Sequence, residues 1–187
     1  CTWDGETFHL YWLFDRRKHR SKWGLGAHQY AHAATRDLKN WQHLDIALPI
    51  TEQWEGSMCT GNILYDEGSY YACYYVRPTR VEGYHPGGFA MAMSDDGATF
   101  HKCMDPDPEL GAGDPIVFRD PGTGLYHLLM PGPNRDGGQS RTRHVSRDLK
   151  SWDEQVDPFI VIHKETTSLE CPDLFQMERL VVFHHGT

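Results

Sequence analysis

The sequence predicts an all-β protein built as a β-propeller, of which these 187 residues cover about three blades and part of a fourth. Three observations predict it. A turn centred on Asp and closed by an aromatic residue recurs: Thr35-Arg36-Asp37-Leu38-Lys39-Asn40-Trp41, then Ser146-Arg147-Asp148-Leu149-Lys150-Ser151-Trp152, with Ser94-Asp95-Asp96-Gly97-Ala98-Thr99-Phe100 as a looser copy. A tight turn leading into an aromatic or β-branched strand also recurs. It puts Phe8, Tyr70, Tyr126 and Leu180 in equivalent places, 62, 56 and 54 residues apart. Finally, no apolar pattern with a helical period of about 3.6 residues is sustained anywhere.

The elements follow in order. The first unit holds the turn strand Gly5 to Trp12 and the strand Gln29 to Ala34 before its Asp turn. The second opens with Asn62 to Tyr65, continues through Gly68 to Tyr75, and reaches its Asp turn after Gly88 to Met93. The third repeats this with Ile116 to Phe118, Gly124 to Met130 and Thr142 to Val145; Leu174 to Gln176 and Glu178 to Phe183 begin a fourth. One unit is thus strand, tight turn, strand, loop, strand, Asp turn and final strand, which is the make-up of a propeller blade. Trp41 and Trp152 recur in register and are expected in the blade cores. A propeller hides its sheet edges by closing on itself. Three blades cannot close, so residues 1–187 are expected to be one partial propeller catalytic domain, incomplete at both ends.

Composition sets outer bounds. The formal charge is −8, with 39% hydrophobic and 24% charged residues, ordinary for a globular domain. The negative balance argues against phosphate backbones and anionic lipid, so no nucleic acid and no membrane partner is expected. No run of about 18 apolar residues is present to form a spanning helix. Arg16-Arg17-Lys18-His19-Arg20 reads as a solvated loop. The five cysteines, Cys1, Cys59, Cys73, Cys103 and Cys171, show neither CxxC pairs nor zinc spacing. His184-His185 lacks further ligands for a metal site. Compartment, disulfides and oligomeric state stay open.

The carboxylates carry the chemistry. Asp114 lies 12 residues before Tyr126, and Glu170 lies 10 before Leu180. Each therefore falls where the innermost strand of its blade begins, at the mouth of a shared funnel. Two converging carboxyl groups suit glycoside hydrolysis, one protonating the leaving oxygen and the other ionised against the sugar's positive charge. Asp before Pro, as in Asp114-Pro115, also serves simply as a turn.

Leu169-Glu170-Cys171-Pro172-Asp173-Leu174-Phe175 resembles the ECP motif of glycoside hydrolase family 32, the fructosidases that include invertases, levanases and inulinases. Gly113-Asp114-Pro115-Ile116-Val117-Phe118 is similar to that family's RDP segment, Trp54-Glu55-Gly56-Ser57 to its FSGS segment, and Trp23-Gly24 with Ala31-His32-Ala33 and Trp41 to its first-blade pattern. The resemblance implies a five-bladed propeller and a retaining mechanism. It makes Glu170 the general acid/base and Asp114 the stabiliser of the oxocarbenium-like transition state. The partner it implies is a saccharide. Trp54, Glu55, Trp23 and Arg77, all near the expected funnel, are then candidates for substrate contact. No cofactor and no metal is called for.

Four departures matter. Arg119-Asp120-Pro121 spells RDP literally but sits only six residues before Tyr126, in a turn, so the role goes to Asp114. Gly113 then stands where the family has an Arg that positions the carboxylates. Leu13-Phe14-Asp15-Arg16 replaces a Gln found in invertase-like members. The family's nucleophile would lie just upstream of Cys1, not at Asp4, which belongs to a turn. An inverting propeller enzyme of the arabinosidase/xylosidase type and a non-catalytic saccharide-binding propeller are the alternatives.

Overall fold

The computed structural model describes residues 1–15, 28–52, 55–78, 87–111, 113–135, 138–162, 170–177 and 180–186. The first blade comprises β1 (Thr2–Trp3), β2 (Phe8–Asp15), β3 (His28–Thr35) and β4 (Gln42–His43). The second comprises β5 (Glu55–Asp66), β6 (Ser69–Pro78), β7 (Gly88–Ser94) and β8 (His101–Asp107). The third comprises β9 (Ile116–Arg119), β10 (Tyr126–Arg135), β11 (Gly138–Ser146) and β12 (Asp153–Ile162), and a fourth sheet pairs β13 (Glu170–Met177) with β14 (Leu180–Gly186). Strand order within each sheet is chain order, and all pairings are antiparallel. The predicted unit is therefore the observed one: a four-stranded meander, present three times, followed by half of another. Among the described residues no helix is long and apolar enough to cross a membrane.

The first strands of the sheets gather around one axis, β1 against β5, β5 against β9, and β13 against both β5 and β9. Side chains stitch them, because an innermost strand has one edge without a ladder partner. Thr2 Oγ1 donates to Ile63 O at 2.7 Å. The Asn62 amide spans to the next blade, donating to Val117 O at 2.8 Å and accepting from Val117 N at 2.9 Å.

Between blades the packing is apolar and follows the two-residue period of a strand. On β6, Tyr70, Ala72, Tyr74 and Val76 face the first blade with Ala90 and Ala92 of β7. The alternate residues Cys73, Phe89 and Met91 face the third blade, where they meet Val117, Tyr126, Leu128, Met130 and Leu149. The central blade is thus buried on both faces, which explains its nearly continuous apolar runs.

The three Asp turns are built alike. Thr35, Ser94 and Ser146 donate their hydroxyls to Asp37, Asp96 and Asp148 at 3.0, 2.8 and 3.1 Å. Each Asp Oδ1 then accepts the amides two and three residues on. The chain turns through a left-handed residue, Leu38 at φ 60°, Gly97 at 68° and Leu149 at 63°. The closing aromatics differ in setting. Phe100 meets Tyr11 of the preceding blade edge-on at 5.9 Å, and Trp152 meets Phe89 likewise at 6.0 Å. Trp41, expected in a core, is 38% exposed. It belongs to the first blade, and no earlier blade stands against it among the described residues.

A second device links neighbouring blades. Tyr70 Oη donates to Asp4 Oδ2 at 2.6 Å, and Tyr126 Oη to Asp66 Oδ2 at 2.6 Å. Each Tyr reaches back to the carboxylate that opens the turn of the blade before. The equivalent place in the fourth unit is Leu180, which has no hydroxyl to give. Asp120, the carboxylate that would receive it, is held by its own turn through Gly122 N at 2.9 Å and Thr123 Oγ1 at 2.7 Å.

Candidate active site

The site is assembled where β5, β9 and β13 converge. Gly113 and Asp114 lead into β9. Gly113 has φ +126°, and a Cβ there would lie 2.5 Å from Pro131 Cγ on β10. Both the backbone conformation and the close approach require glycine. This turn sets Asp114 half-buried at the head of β9, with its Oδ2 accepting from Cys171 N at 2.7 Å.

The donor is freed by a bulge. On β13 the register passes from Glu170↔Gly186 to Asp173↔His184, so Cys171 and Pro172 together oppose His185 alone. Pro172 has no amide to give a ladder, and Cys171 takes φ 45°, a conformation that costs a β-carbon-bearing residue about 1–2 kcal/mol. The Cys171 amide then points at Asp114. β5 carries the same irregularity: Met58↔Val76 is followed by Gly61↔Tyr74, leaving Cys59 and Thr60 opposite Tyr75. The two bulges meet, Thr60 Oγ1 lying 3.6 Å from Cys171 Sγ. Gly61 permits this, because a Cβ there would fall 2.0 Å from Cys73 O.

Two arginines border the cluster. Arg77, on β6 opposite Ser57, hydrogen-bonds the Cys59 thiol. Burial pushes that thiol up, Arg77 draws it back, and the nearby charge of Asp114 raises it further. Arg141, on β11, is fully buried and its Nη1 donates to Asp114 O at 2.7 Å. Tyr30 closes the floor, its Oη donating to Cys59 O at 2.8 Å. Burial lifts the Tyr30 phenol well above its usual range, so it serves as a neutral donor.

Of the predicted residues, Asp114, Arg77 and the Glu170 backbone come together here. The Glu170 side chain, Trp23 and Trp54 lie outside the described residues. Glu55 is buried and faces elsewhere: its Oε2 accepts from Thr51 N at 2.9 Å, Glu52 N at 3.0 Å and the Lys102 ammonium. The literal RDP at Arg119 is an inter-blade strut, with Arg119 Nη1 on Asp66 at 3.1 Å and on Glu67 at 2.6 Å. Arg141 escaped the sequence reading. The available signal was a cation in the middle of a strand whose blade needs apolar faces, in a chain lacking Arg before Asp114.

A family model described as the glycosyl hydrolases family 32 N-terminal domain matches residues 2–185. The chain belongs to this family. Its segment is 26% identical over 186 residues to β-fructofuranosidase, insoluble isoenzyme 7, of Oryza sativa subsp. indica, covering 90% of this chain and 29% of that protein. It is 27% identical over 161 residues to the sucrose-6-phosphate hydrolase of Salmonella typhimurium, covering 79% of this chain and 34% of that one. In three dimensions it resembles a family 32 β-fructofuranosidase of Bombyx mori solved with sucrose, with a TM-score of 0.64, 20% identity, and coverage of 95% of this chain and 38% of that one. That likeness shows the fold, part of a five-bladed propeller. The chain spans 29% to 34% of the length of these two curated relatives. Within family 32, the departure at Gly113 now has a structural reason: the turn before Asp114 packs directly on Pro131 and leaves no room for a side chain.

Proposed function

We propose that this chain provides the acid/base and the transition-state stabiliser of a retaining glycosidase acting on fructose-containing saccharides. The observation that carries the reading is the 2.7 Å bond from Cys171 N to Asp114 Oδ2. It joins the segment holding Glu170 to the segment holding Asp114, although they are 56 residues apart in sequence. Family membership over residues 2–185 supports the same chemistry.

In this reading Glu170 protonates the glycosidic oxygen as the bond breaks and later deprotonates the water that releases the sugar. The Asp114 carboxylate lies beside the anomeric carbon and offsets the charge that develops there. Its bond to Cys171 N holds it still, so that no reorganisation is needed in the transition state. Arg77 binds sugar hydroxyls at the funnel wall, and Trp23 and Trp54 stack on sugar faces. Glu55 acts indirectly by fixing the Thr51–Glu52 backbone, which precedes Trp54 in sequence.

The test is an assay of the full-length protein on sucrose, levan, inulin and aryl arabinosides, with Glu170→Gln alongside. Release of fructose, lost by about 10²-fold or more in Glu170→Gln, is the expected result. Arabinose or xylose release would place the protein with the inverting propeller enzymes. Saccharide binding without any release would make it a non-catalytic binder.

A further inference from the structure

The guanidinium of Arg141 does a task that no residue near Asp114 in sequence can do. Gly113 cannot be lengthened, since its Cβ would already collide with Pro131 at 2.5 Å. Pro131 is the register partner of Arg141 across β10 and β11. The side chain of Arg141 therefore starts beside the residue that excludes an arginine at position 113. It reaches the head of β9 and donates from Nη1 to Asp114 O at 2.7 Å, with none of its own surface exposed.

A buried guanidinium is costly unless charge and hydrogen bonds compensate it. Burial lowers its proton affinity, and the negative charge of Asp114 is the largest opposing influence, followed by Cys171. Those same two residues are joined by the Cys171 N to Asp114 Oδ2 bond. The Asp114 residue is thus gripped at two points, its carbonyl by Arg141 and its carboxylate by the bulge of β13.

We infer that Arg141 is the positioning residue for Asp114, supplying from the third strand of the blade the cation that Gly113 cannot supply from the first. It holds the carbonyl so that the Asp114 carboxylate keeps its place beside Cys171. The inference rests on the catalytic reading of Asp114 given above.

The experiment compares Arg141→Met and Arg141→Lys in the full-length protein. A misplacement of about 1 Å costs roughly 10²-fold in rate, so Arg141→Met is expected to lower kcat on sucrose by about that factor with KM changed by no more than about threefold. Arg141→Lys restores part of kcat, because an ammonium can still bond the carbonyl. Equal losses in both variants, tracking a fall in folded protein, would reduce Arg141 to a packing role and overturn the inference. A crystal structure of Arg141→Met gives a second, activity-independent arm. Loss of the Cys171 N to Asp114 Oδ2 contact is expected, and its retention would overturn the positioning role whatever the substrate. A wild-type protein inactive on every fructoside would overturn the functional reading instead, and the structural arm would still decide Arg141.

Discussion

The tyrosine latches between blades give a prediction in which two chemically identical substitutions have unequal costs. In Tyr70→Phe the lost hydroxyl is the 2.6 Å donor to Asp4 Oδ2, and it also lies 3.3 Å from His9 Nε2. Tyr70 is buried in the interface of the first two blades. Asp4 retains the amides of Glu6 and Thr7 and the His9 ring at 3.2 Å, but the oxygen that faced Tyr70 loses its best donor. A hydrogen bond to a charged group contributes about 1.5–3 kcal/mol; burial places Tyr70→Phe at about 2–3 kcal/mol. In Tyr126→Phe the lost 2.6 Å bond goes to Asp66, whose carboxylate keeps the Arg119 guanidinium at 3.1 and 3.2 Å. That substitution should cost about 1–1.5 kcal/mol. The two sites lie in different blade interfaces, so the double variant should be additive within about 0.5 kcal/mol.

Urea unfolding of the full-length protein measures all three, and pH adds a further check. In the folded chain, burial opposes ionisation of Asp4, but the bonds from Tyr70, Thr7, Glu6 and His9 outweigh it and hold its carboxyl below the usual carboxylate range. A depressed carboxyl stabilises the fold above its ordinary value of 3.8 and loses that contribution as pH falls below it. The deficit of Tyr70→Phe should therefore be full at neutral pH and shrink in acid. A Tyr126→Phe cost larger than that of Tyr70→Phe, or a Tyr70→Phe deficit that grows as pH falls, would refute the reasoning.

Two further outcomes are expected. Gly113→Ala forces a Cβ into Pro131 at a φ of +126°, a strain of about 1–3 kcal/mol; on the proposed function, fructose release by the full-length protein should fall by roughly 10²-fold, and a variant as active as wild type would show that the turn does not set Asp114. Burial, then the neighbouring His9, lowers the His32 pKa to about 4 from 6.5. The folded form thus resists protonation, so this contribution is complete above 6.5 and is lost as pH falls towards 4. His32→Gln should flatten the stability decline across that window in denaturant titrations, and an unchanged slope would exclude His32 as its source.

Much of the molecule could be read along the chain, because a blade is a local object. Its strands are neighbours in sequence, its turns are closed by an Asp within three residues, and side-chain alternation is written residue by residue. The strands around Tyr70 and Tyr126, the three Asp turns and the placement of Asp114 ahead of β9 were all legible for that reason. The turn at Asp120-Pro121 was legible too, from spacing alone.

What sequence could not supply depends on contacts between residues far apart in the chain, within a blade as well as between blades. Trp41 and Trp152 occupy the same place in their motifs, yet only Trp152 is packed against an earlier blade. Glu55 reads like a funnel residue beside Trp54, but its described partners are the Thr51–Glu52 backbone and Lys102 of the outermost strand. Arg141 carries no motif at all. Its role arises because β10 brings Pro131 against Gly113 while β11 carries a guanidinium to the Asp114 carbonyl. Local pattern determines which segments become strands and turns, since those choices are made over a few residues by sterics and hydrogen bonds. Which side chains meet at Asp114 was decided only by the tertiary structure, through a contact over 27 residues within the third blade and one over 57 residues between sheets, neither of which a local pattern encodes.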